Sequence, residues 1–159
     1  MATTGIAVGV TPGSRVDGFC NNIDILEASV QTYTLGAPLI LNASGLMQEI
    51  ATNATIAWGF ALKAGQNSAA NGTKFAKAFK IAPDARYEGT LSVASWAQSL
   101  VGSKVGFGPV SSTWVLQTAA GVLSVLPCIV RGVSSNWLPG DTNPLIIFSV
   151  LNAGVQGEV

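Results

Sequence analysis

Apolar positions along this chain come in short stretches separated by Gly, Pro and Asn, the punctuation of a protein made of many brief strands. Ile23–Leu35 alternates loosely, with Leu26, Ala28 and Val30 on one face and Glu27, Ser29 and Gln31 on the other. It predicts a strand that Gly36-Ala37-Pro38 ends. Leu39-Ile40-Leu41 is a short buried run, Asn42-Ala43-Ser44-Gly45 reads as a hairpin turn, and Leu46–Ile50 as the returning strand. Thr55–Leu62 is rich in β-branched and aromatic residues and predicts a central strand.

Ala64–Thr73 is mostly Gly, Asn, Ser and Ala, the composition of an exposed, mobile loop. Lys74–Ala82 alternates again, Lys77, Phe79 and Ile81 against Ala76, Ala78 and Lys80, and Pro83-Asp84 closes it. Gly89–Val93 reads as extended, Ala94–Leu100 as a short helix on its Ala, Gln and Leu content, and Val101–Phe107 as a short strand cut by glycines. Thr113–Thr118, Val122–Val133 and Leu145–Leu151 predict the last strands, with Pro127 marking a bulge or an edge in the middle one. No helical periodicity, heptad or internal repeat persists. The expected class is all-β, a small β-barrel or sandwich of short antiparallel strands, a closed barrel being the arrangement that removes exposed strand edges. Residues 1–22 carry one short apolar run, Ile6–Val10, too little to fold alone, and read as an extended N-terminal arm ahead of a β-barrel domain at 23–159.

Composition changes the picture in one direction. Eight basic and eight acidic residues make only 10% of the 159 positions, where a soluble domain carries roughly a quarter, and the formal net charge is zero. Apolar residues hold their usual share at 48%, so uncharged polar and small residues stand where charge normally does. Charge keeps exposed surfaces soluble, and a surface this poor in it is expected to face other protein. The longest basic cluster, Lys74, Lys77 and Lys80, is no track for counterion release, and neither nucleic acid nor a membrane surface is an expected partner. The longest apolar window, Val122–Val133, is broken by Ser124, Pro127 and Arg131 and cannot span a bilayer as a helix. Met1-Ala2-Thr3-Thr4-Gly5 lacks the basic start of a secretory signal, so synthesis in a cytoplasm is expected, with Cys20 and Cys128 as reduced, buried thiols.

The chain contains no histidine. That excludes Ser-His-Asp and Cys-His machinery within one chain and His-containing zinc signatures, while two cysteines without CxxC spacing make no thiolate cage. Neither metal nor cofactor is expected. A carboxylate-only mechanism has Asp17, Asp24, Glu27, Glu49, Asp84, Glu88, Asp141 and Glu158 to draw on. Asp84 and Glu88 flank Arg86 in a stretch framed by Pro83 and Gly89, which reads as a charge-balanced turn. The expectation is that the protein is not an enzyme. Of the four tryptophans, Trp58 and Trp114 lie in apolar strands and read as core. Trp96 and Trp137 stand beside polar residues and, with Ile6, Val8 and Val10 of the arm, are the candidate interface residues.

The order of segments resembles the capsid decoration (cement) proteins of tailed bacteriophages. The likeness begins at Pro38-Leu39-Ile40-Leu41-Asn42 and the turn to Gly45-Leu46, and continues in Ile56-Ala57-Trp58-Gly59-Phe60-Ala61-Leu62, a strand with an embedded glycine before a small-residue loop. Phe79-Lys80-Ile81-Ala82-Pro83-Asp84, Arg86-Tyr87-Glu88-Gly89 and Val101-Gly102-Ser103-Lys104-Val105-Gly106-Phe107 follow. Thr113-Trp114-Val115-Leu116 and Ile146-Ile147-Phe148-Ser149-Val150-Leu151 complete it, so that it covers Pro38 to Leu151; the arm has no counterpart. The resemblance implies a non-enzymatic structural virion protein on the exterior of an icosahedral capsid. It also implies the major capsid protein as partner, bound commonly as a homotrimer at three-fold or quasi-three-fold positions. Two other readings stand beside it: a carbohydrate-binding or host-attachment β module using exposed aromatics, and a small carboxylate-only hydrolase.

Overall fold

The computed structural model describes residues 22–51, 56–82, 85–110, 113–118, 128–134, 136–151 and 154–156. Its strands are β1 (Asn22–Leu26), β2 (Pro38–Leu41), β3 (Met47–Glu49), β4 (Gly59–Ala61), β5 (Phe75–Lys80), β6 (Tyr87–Ser92), β7 (Lys104–Val110), β8 (Thr113–Thr118), β9 (Cys128–Val133) and β10 (Leu145–Val150). The class is all-β, as the punctuation of the sequence predicts. The strands divide into two units, a five-stranded sheet in the order β1-β5-β4-β2-β3 and a closed barrel β10-β6-β8-β7-β9. Pairing is antiparallel throughout the sheet. In the barrel β6 and β8 run parallel, a departure from the antiparallel expectation.

Local chemistry explains the elements. The β2–β3 hairpin turns on Asn42, whose side-chain oxygen accepts the N–H groups of Ser44 and Leu46, while Gly45 takes the positive φ of 71° that the turn requires. β4 lies between β2 and β5, the central place expected for Thr55–Leu62. Its embedded Gly59 is needed there: a Cβ at that position would lie 2.4 Å from the carbonyl oxygen of Phe79. After β10 the chain returns to the sheet. Ala57 and Val155 form a bridge, and the Gln156 side-chain amide both accepts from Leu41 N–H and donates to Leu41 C=O. The barrel's exit strand is thereby stitched to the sheet.

Several expectations are corrected. Ile23–Leu35 is not one strand. β1 stops at Leu26, Glu27 is buried at 1% exposure and forms a parallel bridge with Met47, and Val30 is 65% exposed at φ 58°. The bridge draws β1 toward β3 and curls the sheet, so the chain must leave the strand and the alternation beyond Leu26 loses its meaning. Ala94–Leu100 holds one turn of 3-10 helix, Gln98–Leu100; Ala97 before it is extended. Gln and Ser there bury no apolar stripe, and propensity alone does not sustain a helix. Ala64–Thr73 is held along its length. Gly65 and Asn67 donate to the carbonyls of Tyr33 and Gln31, Ser68 C=O accepts Val30 N–H, and Asn71 Oδ1 accepts Ser29 N–H. On β5 the buried face is Ala76 and Ala78, with Lys77 outside; Phe79 is buried as well, because that end of the strand is covered on both sides. In the β9–β10 pair the register shifts between Ile147 and Phe148, leaving Arg131 as the extra residue. The bulge or edge expected at Pro127 lies outside the described residues, as do residues 1–21 of the arm; Asn22 is the first residue of β1.

One aromatic cluster joins the two units. Phe60 and Phe79 come from the sheet; Tyr87, Phe107 and Phe148 come from the barrel. Phe60 contacts Phe79, Tyr87, Phe107 and Phe148 at centroid distances of 5.3, 5.4, 5.5 and 6.2 Å. Its contacts with the three barrel rings are edge-on, the arrangement that the ring quadrupoles favour. Sheet and barrel therefore share a single core, to which Leu39, Ile81, Leu91, Leu116, Val130 and Ile146 also contribute.

Candidate functional site

The residues singled out from the sequence separate in space. Ile6, Val8 and Val10 lie outside the described residues. Trp58 and Trp114 are buried, as their apolar strands predict. Trp96 is buried too, at 2% exposure. Its backbone N–H donates to Asp141 C=O and its backbone C=O accepts from Gly140 N–H, so its main chain is tied to the 138–141 turn. Trp96 is a core residue of this chain, which corrects its place among the surface anchors. The polar neighbours that marked it, Ala94-Ser95, are exposed while the indole turns inward. Trp137 is half-buried and precedes Leu138, at 69% the most exposed large apolar side chain among the described residues. Leu138 N–H donates to Asp141 Oδ2, which fixes this turn at one end of the barrel.

Among the described carboxylates, Glu27, Glu49, Glu88 and Asp141 each accept hydrogen bonds from different partners. Glu88 lies on β6 rather than in a turn and accepts a hydrogen bond from Ser134 Oγ at 2.9 Å; Asp84 lies outside the described residues. Buried Glu27 accepts from the Tyr33 hydroxyl at 2.5 Å and from Gln66 N–H at 2.8 Å. Burial, and then the adjacent Glu27, holds the Tyr33 phenol well above its ordinary range. Glu49, at the end of β3, accepts from the Trp114 indole N–H. Burial likewise pushes the Cys128 thiol up, away from the thiolate that nucleophilic chemistry needs. Among the described residues no group of three metal-ligating side chains occurs and no helix is long and apolar enough to cross a membrane. Glu27, Glu49 and Glu88 each meet donors from their own fold, an arrangement that ties neighbouring segments together.

An open groove of about 380 Å³ lies on the outer face of β1 and β5, lined by Asp24, Lys63, Phe75 and Lys77. Asp24 and Lys77 are cross-strand partners, as are Leu26 and Phe75, so the four share one face. Phe75 is 58% exposed there. Lys80, on the other face of β5, stands over the Trp58 ring with its ammonium 5.9 Å from the centroid. The sequence reading missed this groove. The signal was present in Lys74–Lys80, but only the sheet decides which side of the alternation meets solvent.

No family model, no curated protein and no solved structure matches the chain.

Proposed function

We propose that this protein is a structural virion protein that binds the outer surface of an icosahedral phage head and stabilises contacts between capsomers of the major capsid protein. The observation that carries the reading is the ordered resemblance of segments from Pro38 to Leu151 to capsid decoration proteins. Sparse charge supports it, because an uncharged polar surface is desolvated at lower cost than a charged one when a lattice covers it. A single core shared by sheet and barrel suits a rigid clamp. In this reading the chain is made in the host cytoplasm and acts without catalysis on the capsid exterior. A homotrimer at three-fold positions multiplies weak contacts into avidity.

The test is co-sedimentation of the purified protein with expanded heads that lack decoration, followed by cryo-electron microscopy. Saturable occupancy around local three-fold axes is the expected result. Absence of binding to every expanded head tried overturns the reading. The half-exposed Trp137 beside exposed Leu138 favours a carbohydrate-binding or host-attachment module as the second reading. It is distinguished by retention on glycan arrays that Trp137→Ala abolishes.

A further inference from the structure

Four of the eight basic residues, Lys63, Lys74, Lys77 and Lys80, lie on the sheet unit. Lys74, Lys77 and Lys80 lie on β5 or immediately before it. Lys63 stands beside them, since Leu62 N–H bonds to Lys77 C=O. Lys80 is turned toward Trp58, while Lys63, Lys74 and Lys77 are exposed. Carboxylates do not balance them. In the described part of the same unit Glu27 is buried against Tyr33 and Glu49 is held by Trp114, which leaves Asp24 as the one exposed acid. The same face carries exposed Phe75 and its cross-strand partner Leu26, also exposed, around the groove.

We propose that the outer face of β1 and β5 is a docking surface for an acidic segment of a partner protein that carries an apolar side chain among its carboxylates. Two exposed lysines of the groove, Lys63 and Lys77, against one aspartate select negative charge. Phe75 and Leu26, left in water by the fold, gain by covering with an apolar group. The combination points to polypeptide among the possible anions. A phosphate backbone rewards an unbroken track of cations, and Asp24 interrupts this one. Recruitment to an anionic bilayer takes clusters of roughly four to eight basic residues, more than this face presents. The inference stands apart from the virion reading and needs only this surface.

The experiment uses the full chain and a short fluorescein-labelled peptide of alternating glutamate and leucine, read by anisotropy at low ionic strength. Binding should weaken about tenfold in the Lys63→Glu/Lys77→Glu variant and fall with added salt. It should weaken also in Phe75→Gln and Leu26→Gln, and recover in Lys63→Arg/Lys77→Arg. All four positions are exposed, and thermal melts identify a variant that has lost its fold, in which case the remaining variants decide. The proposal is overturned if the peptide does not bind, if these variants leave its affinity unchanged, or if a lysine–leucine peptide binds as well. Tighter binding of single-stranded DNA or of phosphatidylserine vesicles, with the same lysine dependence, overturns it in favour of those ligands.

Discussion

The indole N–H of Trp114, on barrel strand β8, donates to Glu49 Oε1, on sheet strand β3. Glu49 is fixed at its other end, where its backbone N–H donates to Gln31 Oε1 at 2.9 Å. A polar bond thus spans the junction that the aromatic cluster fills with apolar contacts. A double-mutant cycle of Trp114→Phe and Glu49→Ala should give a coupling energy of about 1–2 kcal/mol in urea unfolding. Additive losses from the two single variants would show that the bond contributes nothing to the joint.

Phe60 touches one sheet ring and three barrel rings. Phe60→Ala should therefore cost about 3–5 kcal/mol, the cost of an aromatic cavity in a packed core. Because the core is shared, sheet and barrel should unfold together. Tryptophan fluorescence and far-ultraviolet circular dichroism should give one coincident transition in the wild type. Two separated transitions would mean that the units fold independently.

The Tyr33–Glu27 pair predicts a pH dependence. Folded Tyr33 keeps its proton where an unfolded tyrosine, with its ordinary value of 10.0, loses it. The folded chain then binds more protons than the unfolded one, so stability is fully present below that value and declines as pH rises above it, by up to about 1.4 kcal/mol per pH unit. Tyr33→Phe should lessen this decline. It should also cost about 1–3 kcal/mol at neutral pH, because buried Glu27 loses its hydroxyl donor. Urea melts between about pH 8 and 11 measure both effects; an unaltered slope in the variant would assign the decline to other groups.

Gly65 and Gly132 form a matched test of close approach. A Cβ at Gly65 would meet Gln31 backbone oxygen at 2.3 Å, whereas one at Gly132 meets nothing within 4 Å. Gly65→Ala should cost about 1–3 kcal/mol by pushing the 64–73 segment away from residues 29–33. Faster hydrogen exchange at Val30 and Asn67, whose N–H groups bond across that seam, is the specific readout. Gly132→Ala should stay within about 0.5 kcal/mol of wild type.

The short apolar runs, the turn at Asn42–Gly45 and the central place of Gly59–Ala61 were legible in the sequence, since each rests on local signals: strand alternation, side-chain to backbone bonding, and β-branched and aromatic content. So was the core role of Trp58 and Trp114, embedded among apolar neighbours. Trp96 was not, because Ala94 and Ser95 beside it are exposed while its own backbone bonds to the 138–141 turn, a contact between segments more than forty positions apart. The groove at Asp24, Lys63, Phe75 and Lys77 escaped for the same reason. Its four residues come from three segments, and the register Asp24 to Lys77 exists only once β1 has paired with β5.

By itself the sequence determined an all-β chain, poor in charge and without histidine, and therefore closed to histidine chemistry. Tertiary structure decided the division into sheet and barrel, the parallel β6–β8 pair, and the burial of Glu27 against Tyr33. The reason is physical. Alternation and turn chemistry act over a few residues and survive in any arrangement. Strand partners, and which face of β5 meets water, depend on contacts between distant segments that form only when one core closes around Phe60.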